Sequence, residues 1–122
     1  DVTINAPRRE FRQACSHLID NSLKFSPPMT TVLINLAANG DGGCILTITD
    51  QGQGIPAEYH EKVFKRYYQI SQGEAREKNG LGVGLTIARI IARSLEGEVT
   101  ILPADHGCIV QMILPPAQPD MP

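Results

Sequence analysis

The hydrophobic positions of this chain follow a helical rhythm in some stretches and a strand rhythm in others. From Arg8 to Phe25, the residues Phe11, Ala14, Cys15, Leu18, Ile19, Ser22 and Phe25 recur at steps of three and four, which predicts a helix with one apolar stripe. Ser26-Pro27-Pro28 ends it, because a residue before proline avoids the helical region. Two strand-like runs follow, Thr31 to Ala38 and Cys44 to Asp50, joined by the turn Asn39-Gly40-Asp41-Gly42-Gly43. A second helix is expected over Pro56 to Phe64, with Pro56 in its first turn. Ser71 to Asn79 is polar and aperiodic, so it reads as a loop. Val83 to Leu95 is helical again, with Ile87, Ile90, Ile91 and Leu95 on one side and Gly97 just past the end. Glu98 to Leu102 and Cys108 to Leu114 form a closing hairpin around Ala104-Asp105-His106-Gly107, and Asp1 to Asn5 reads as a short opening strand. About three helices and five strands predict an α+β fold, a two-layer sandwich. Its mixed, mostly antiparallel five-stranded sheet would be covered on one face by helices. The expected core includes Phe11, Leu18, Ile48, Ile87, Ile91, Val110 and Met112.

Composition narrows the class. At 122 residues and 42% hydrophobic, the chain suffices for one domain, placed at residues 1–115 and followed by a proline-rich tail, 116–122. With 11 Lys+Arg against 13 Asp+Glu there is no basic excess for a phosphate backbone, which argues against nucleic-acid binding. Cys15, Cys44 and Cys108 are scattered and form no CxxC pair, which argues against a zinc site or disulfide framework and fits a reducing, cytoplasmic setting. No apolar run approaches the ~20 residues of a membrane helix, so no membrane contact by this domain is expected. The chain opens at Asp1 without an initiator Met, as expected of a piece of a longer protein.

Three motifs carry chemistry. His17, Asp20, Asn21 and Lys24 share one face of the first helix, and an imidazole, a carboxamide and an ammonium on one stripe suit a metal–phosphate group, although a plain solvated face has the same spacing. In Asp50-Gln51-Gly52-Gln53-Gly54-Ile55-Pro56, Asp50 continues the inward row of Leu46 and Ile48, so its carboxylate needs a donor. An aminopurine NH₂ would satisfy it, as would an ordinary Asp-Gly turn. Glycines that follow let a ligand approach the backbone. Asn79-Gly80-Leu81-Gly82-Val83-Gly84-Leu85 runs into a helix and offers unpaired N–H groups at its positive end, an anion cradle. It is neither a P-loop nor a dinucleotide fingerprint, and glycines also serve tight packing.

In this order the motifs resemble the catalytic ATP-binding domain of sensor histidine kinases, with the Bergerat-type fold they share with gyrase-type ATPases. The resemblance spans nearly the whole chain. His17 to Phe25 is similar to the family's N box, Asp50 to Gly54 to its G1 box, Phe64-Lys65-Arg66-Tyr67-Tyr68 to its F box, and Gly80 to Leu85 to its G2 box. It implies that Asn21 ligates Mg²⁺ bridging the phosphates of ATP and that Lys24 contacts a phosphate. Asp50 would take the adenine amino group, with Phe25, Gly52, Gly54, Ile55 and Tyr67 around the nucleotide. Arg66 would face the γ-phosphate or the phosphoacceptor domain, while Gly80, Leu81, Gly82, Val83, Gly84 and Leu85 hold the polyphosphate. Gln69 to Asn79 would be the lid, with Arg76 and Lys78 adding charge.

The implied partners are a phosphoacceptor-histidine dimerisation domain of the parent protein and a downstream response regulator, the fragment itself being monomeric. His17 stands where most sensor kinases have Asn and gyrase-type ATPases a catalytic Glu, as in chemotaxis kinases. Without the Glu there is no evident base to activate water, so little hydrolysis is expected. His17 would bond a metal-bound water or simply pack. Lys65 replaces an acid common in the family. His60 and His106 lack phosphoacceptor surroundings; His60 reads as a surface residue and His106 as part of a turn. The alternatives are an ATPase or serine kinase of the same superfamily, or a docking domain with a degenerate nucleotide site.

Overall fold

A computed structural model describes residues 4–52, 54–65 and 84–117. Helix α1 spans Arg8–Phe25, strands β1 and β2 Leu33–Ala38 and Cys44–Asp50, helix α2 Gly84–Ser94, and strands β3 and β4 Glu98–Leu102 and Cys108–Leu114. All strand pairs are antiparallel, in the order β1-β2-β4-β3. The expected α+β sandwich is therefore present, with four strands among the described residues where five were expected. Part of the fifth lies outside them. Its end, around Asn5, is extended rather than strand: the Asn5 N–H donates to Gly42 O (2.7 Å) and Ala117 N–H to Asn5 O (2.9 Å). Of the expected tail, residues 118–122 lie outside the described residues.

Alternation along each strand decides the faces. Cys44, Leu46, Ile48 and Asp50 point inward from β2, and Cys108, Val110, Met112 and Leu114 from β4. The register sets Leu46 opposite Met112 and Ile48 opposite Val110, so these side chains form one apolar row. Onto it α1 lays Ala14 and Leu18, and α2 lays Leu85, Ala88 and Ala92. Of the expected core, Leu18, Ile48, Val110 and Met112 are buried, Phe11 and Ile91 are half-buried at its margin, and Ile87 is half-buried. Ile90 is 56% exposed, because the small residues Ala88 and Ala92 turn the face between them toward the sheet and carry Ile90 outward.

Local chemistry explains the ends. α1 starts after Pro7 and stops where Ser26 turns extended; its N–H (3.0 Å) and hydroxyl (2.8 Å) both donate to Ser22 O. The helix expected over Pro56 to Phe64 is instead two 3₁₀ turns, Ala57–Tyr59 and Lys62–Phe64. Nine residues of which only Val63 and Phe64 are buried are too few to propagate an α-helix. At the end of α2, Glu96 rather than Gly97 takes the left-handed position (φ 65°), and the Gly97 N–H caps Ala92 O at 2.8 Å. Gly97 is there because it lies hard against the Ile113 carbonyl.

Candidate nucleotide site

Three pieces of backbone frame the site. β2 delivers Asp50 at the end of the inward row, where it is only 5% exposed. The inward orientation expected from the strand rhythm is therefore observed. Its Oδ1 accepts the Gly52 N–H (2.9 Å) and the Cys108 N–H (3.2 Å). Both bonds fall on one oxygen, and Oδ2 takes none among the described residues. Oδ2 therefore keeps its capacity to accept a further hydrogen bond.

The last turn of α1 closes one side. A Cβ on Gly52 would stand 2.6 Å from Phe25 O and 3.2 Å from Asp50 Oδ1, so the loop after β2 fits beneath the helix only as glycine. Gly54 and Gly107 meet on the opposite side of that loop. Gly54 has φ 80° and a Cβ there would fall 2.6 Å from Gly107 O, while Gly107 has φ 70° and would collide with Asp50 O. The tip of the β3–β4 hairpin thus clamps the loop carrying Asp50, a role the sequence reading of that tip did not include.

α2 supplies the third piece. It begins at Gly84, where a Cβ would be 3.6 Å from His17 O, so its N-terminus opens beside the polar stripe of α1. On that stripe His17 and Asn21 are half-buried, and Asp20 and Lys24 are exposed. The structure therefore sets Gly84 beside His17, with Asn21 one turn further along α1, and brings Phe25, Asp50 and Gly52 together at one side of the loop that also carries Gly54. Ile55 is half-buried beside it, and its carbonyl accepts a hydrogen bond from the His60 ring at 2.8 Å, so His60 is half-buried rather than superficial. Leu85 sends its side chain into the core, which leaves only its backbone to face a ligand. Arg66, Tyr67, Gly80, Leu81, Gly82 and Val83, with the expected lid, lie outside the described residues.

Among the described residues no group of three or more His, Cys, Asp or Glu is placed to hold a metal ion. Asn21 fits Mg²⁺ all the same: its carboxamide oxygen is a hard, neutral ligand, and Mg²⁺ on a nucleotide takes most of its ligands from phosphate and water.

The sequence reading missed an ion-pair network behind the site. Arg89 Nε donates to Glu98 Oε1 at 2.9 Å and Nη1 to Glu61 Oε1 at 3.0 Å, with the guanidinium 4.2 Å from the centre of the Phe64 ring. Thr86 Oγ1 donates to Phe64 O at 2.6 Å. Together they fasten the segment ending at Lys65 to the start of α2. The signal was available: Arg89 and Arg93 share a helix face, and Glu98 opens the next strand. Hydrogen bonds from Arg89 and then Arg93 hold the Glu98 carboxyl down at about 2. Burial pushes the Cys15 thiol up to about 11 and the Cys108 thiol to about 12, which makes both poor nucleophiles packed as small hydrophobes.

An inward carboxylate followed by glycines, a polar helix stripe and a glycine-opened helix over an antiparallel sheet define a nucleotide-binding α+β domain. The family described as histidine kinase-, DNA gyrase B-, and HSP90-like ATPase matches residues 6–118, and the chain belongs to it as a histidine-kinase-type ATP-binding catalytic domain. Sensor proteins are among its relatives. It is 30% identical over 101 residues to the swarming motility regulation sensor protein RssA of Serratia marcescens, covering 83% of this chain and 21% of RssA. It is 33% identical over 106 residues to the sensor histidine kinase Hik2 of Synechocystis, covering 83% and 24%. The mycobacterial sensor histidine kinase MprB superposes with a TM-score of 0.77 at 28% identity, covering 95% of this chain and 80% of that structure. Full-length ShkA in complex with AMPPNP shares the fold, with a TM-score of 0.73 at 21% identity over 92% of this chain and 22% of ShkA. The chain thus spans about a quarter or less of the length of RssA and Hik2. Among the described residues, no helix is long and apolar enough to cross a membrane.

Proposed function

We propose that this chain binds ATP with Mg²⁺ and presents the γ-phosphate for in-line transfer to a histidine in a separate phosphoacceptor and dimerisation domain, the parent being a two-component sensor kinase that passes the phosphoryl group to a response regulator. The observation that carries the reading is Asp50, buried, held on Oδ1 by two backbone N–H groups and open on Oδ2. That oxygen accepts from the adenine amine, and the glycines around it let the base lie against backbone. Asn21 would hold the Mg²⁺ that offsets phosphate charge, and Lys24, one turn on, would add a cation. The glycine-rich residues 80–84 would hold the polyphosphate by their backbone N–H groups, Arg66 would face the γ-phosphate or the phosphoacceptor domain, and Tyr67 would lie against the nucleotide. With no covalent step assigned to the protein, its contribution is positioning and charge neutralisation.

Calorimetric titration with ATP tests this reading. Binding is expected to strengthen with Mg²⁺, and Asn21→Ala to lose that dependence. Tight binding that ignores Mg²⁺ would remove Asn21 as a ligand. Steady ATP turnover by the chain alone would favour a superfamily ATPase instead.

A further inference from the structure

Among the described residues β1 stands at an edge of the sheet, paired only with β2. α1 packs on β2 and α2 on β3 and β4, and no residue of β1 is buried. Ile34 points inward, opposite the fully buried Ile48, yet is 47% exposed, and Leu33 on the other face is 62% exposed. Native edge strands ordinarily block further pairing with a charge, a proline or a bulge. β1 has none of these. Its register on β2 runs unbroken from Leu33 to Ala38, and no charged residue occurs from Phe25 to Gly40.

The free side of the ladder follows from its paired side. The Asn39 N–H donates to Gly43 O at 3.0 Å, so Asn39, and by alternation Ala37, Asn35 and Leu33, direct their backbone groups to β2. Ile34, Leu36 and Ala38 turn theirs outward. An antiparallel strand with outward groups at the same spacing completes this ladder, and β1 is itself such a strand. With Leu36 on a two-fold axis, Leu36 meets its own symmetry mate, and Ile34 meets Ala38 of the partner subunit, a large side chain against a small one on each side of the axis. No like charges are brought together. We propose that β1 is a self-pairing edge, onto which a second copy of this chain adds its own β1 antiparallel. An extended segment of another protein would find the same free groups but not this reciprocal fit.

One strand pair buries less than the ~1,600 Å² of a standard interface, so the dimer is weak, with a Kd on the order of 0.1–1 mM. It departs from the monomer that the family resemblance implies, and it needs no nucleotide. Sedimentation equilibrium of the chain from ~0.02 to ~1 mM, with amide exchange at both ends of that range, tests it. The mass is expected to rise toward the dimer, and exchange at Ile34, Leu36 and Ala38 to slow about two- to fivefold. Leu36→Pro removes one outward N–H and spares the bonds to β2, and Ala38→Lys sets an ammonium against Ile34 of the partner subunit. Each is expected to weaken association by about tenfold or more, with circular dichroism verifying the fold. Ala38 is exposed, so its variant carries the test if Leu36→Pro does not fold. Met29→Ser removes a fully exposed apolar side chain outside the strand and is expected to change association by less than about twofold. A chain that stays monomeric at ~1 mM overturns the proposal. So does a loss in Met29→Ser equal to that in the edge variants, or a dimer with unchanged exchange at Ile34, Leu36 and Ala38.

Discussion

Replacing Arg89 with methionine keeps a long side chain over Phe64 and removes only the guanidinium. The Arg89 side chain is 11% exposed, whereas Glu61 is 73% and Glu98 40% exposed. Burial opposes its charge, but the hydrogen bonds to Glu98 and Glu61 more than offset this and raise its pKa. The Glu61 pair faces water and contributes little. The Glu98 pair and the Phe64 ring contact are sheltered, worth about 1 kcal/mol and ~0.5–1 kcal/mol respectively. Glu98 is not stranded by the change, because Arg93 Nη2 (3.0 Å) and the Val99 N–H (2.9 Å) still reach it. The expected loss is therefore about 1.5–2 kcal/mol, and at roughly 4 °C per kcal/mol for this length the thermal midpoint falls by ~6–8 °C. Arg93 pairs with the same carboxylate but is 55% exposed, so Arg93→Met is expected to lose less than ~0.5 kcal/mol. Urea unfolding at pH 7 with a constant m-value measures both. An Arg89→Met protein within 0.5 kcal/mol of wild type, or equal losses for the two arginines, would show that burial does not set the strength of this network.

Two further perturbations follow from the same geometry. Gly107→Ala drives a Cβ into the Asp50 carbonyl at φ 70°, whereas Gly40→Ala meets nothing within 4 Å at φ 87°. The first is expected to destabilise by more than ~3 kcal/mol and the second by ~1 kcal/mol, the cost of the dihedral alone; similar losses in urea would refute the clamp. Glu98 is held at about 2, below an ordinary glutamate, so its contribution is intact above about pH 5 and is lost as pH falls through 4 toward 2. With 40% of the side chain exposed, screening reduces that contribution to ~1 kcal/mol. Glu98→Gln should flatten that part of an acid unfolding curve, and an unchanged slope would count against it.

Much of this architecture is written in local periodicity. The strands Cys44–Asp50, Glu98–Leu102 and Cys108–Leu114 have the bounds expected from alternation, because each has one face on the core and a turn of polar residues and glycine beside it. Alternation also placed Asp50 inward, the most informative single deduction about the site. What periodicity could not supply were contacts between distant segments. Glu61 and Arg89 are far apart in sequence, and nothing local says they meet. Gly107 looks like any hairpin glycine until its packing on Asp50 is seen. Ile90 misled because a stripe of large residues outweighed Ala88 and Ala92, although small residues let α2 approach the sheet. Spacing sets Ser22 in the apolar stripe, and it is buried there, but that its hydroxyl finds no partner among the described residues is visible only in three dimensions.

Asp50 is the residue proposed to read the base. Asparagine keeps Oδ1 for Gly52 and Cys108 but puts an N–H₂ donor in place of Oδ2, facing the adenine amine donor to donor. Calorimetry with ATP–Mg²⁺ on wild type and Asp50→Asn, with circular dichroism to verify folding, measures this directly. Measurable wild-type binding is expected, with a loss of about 30- to 100-fold in the folded variant. Binding within twofold of wild type, or no wild-type binding at all, would contradict it.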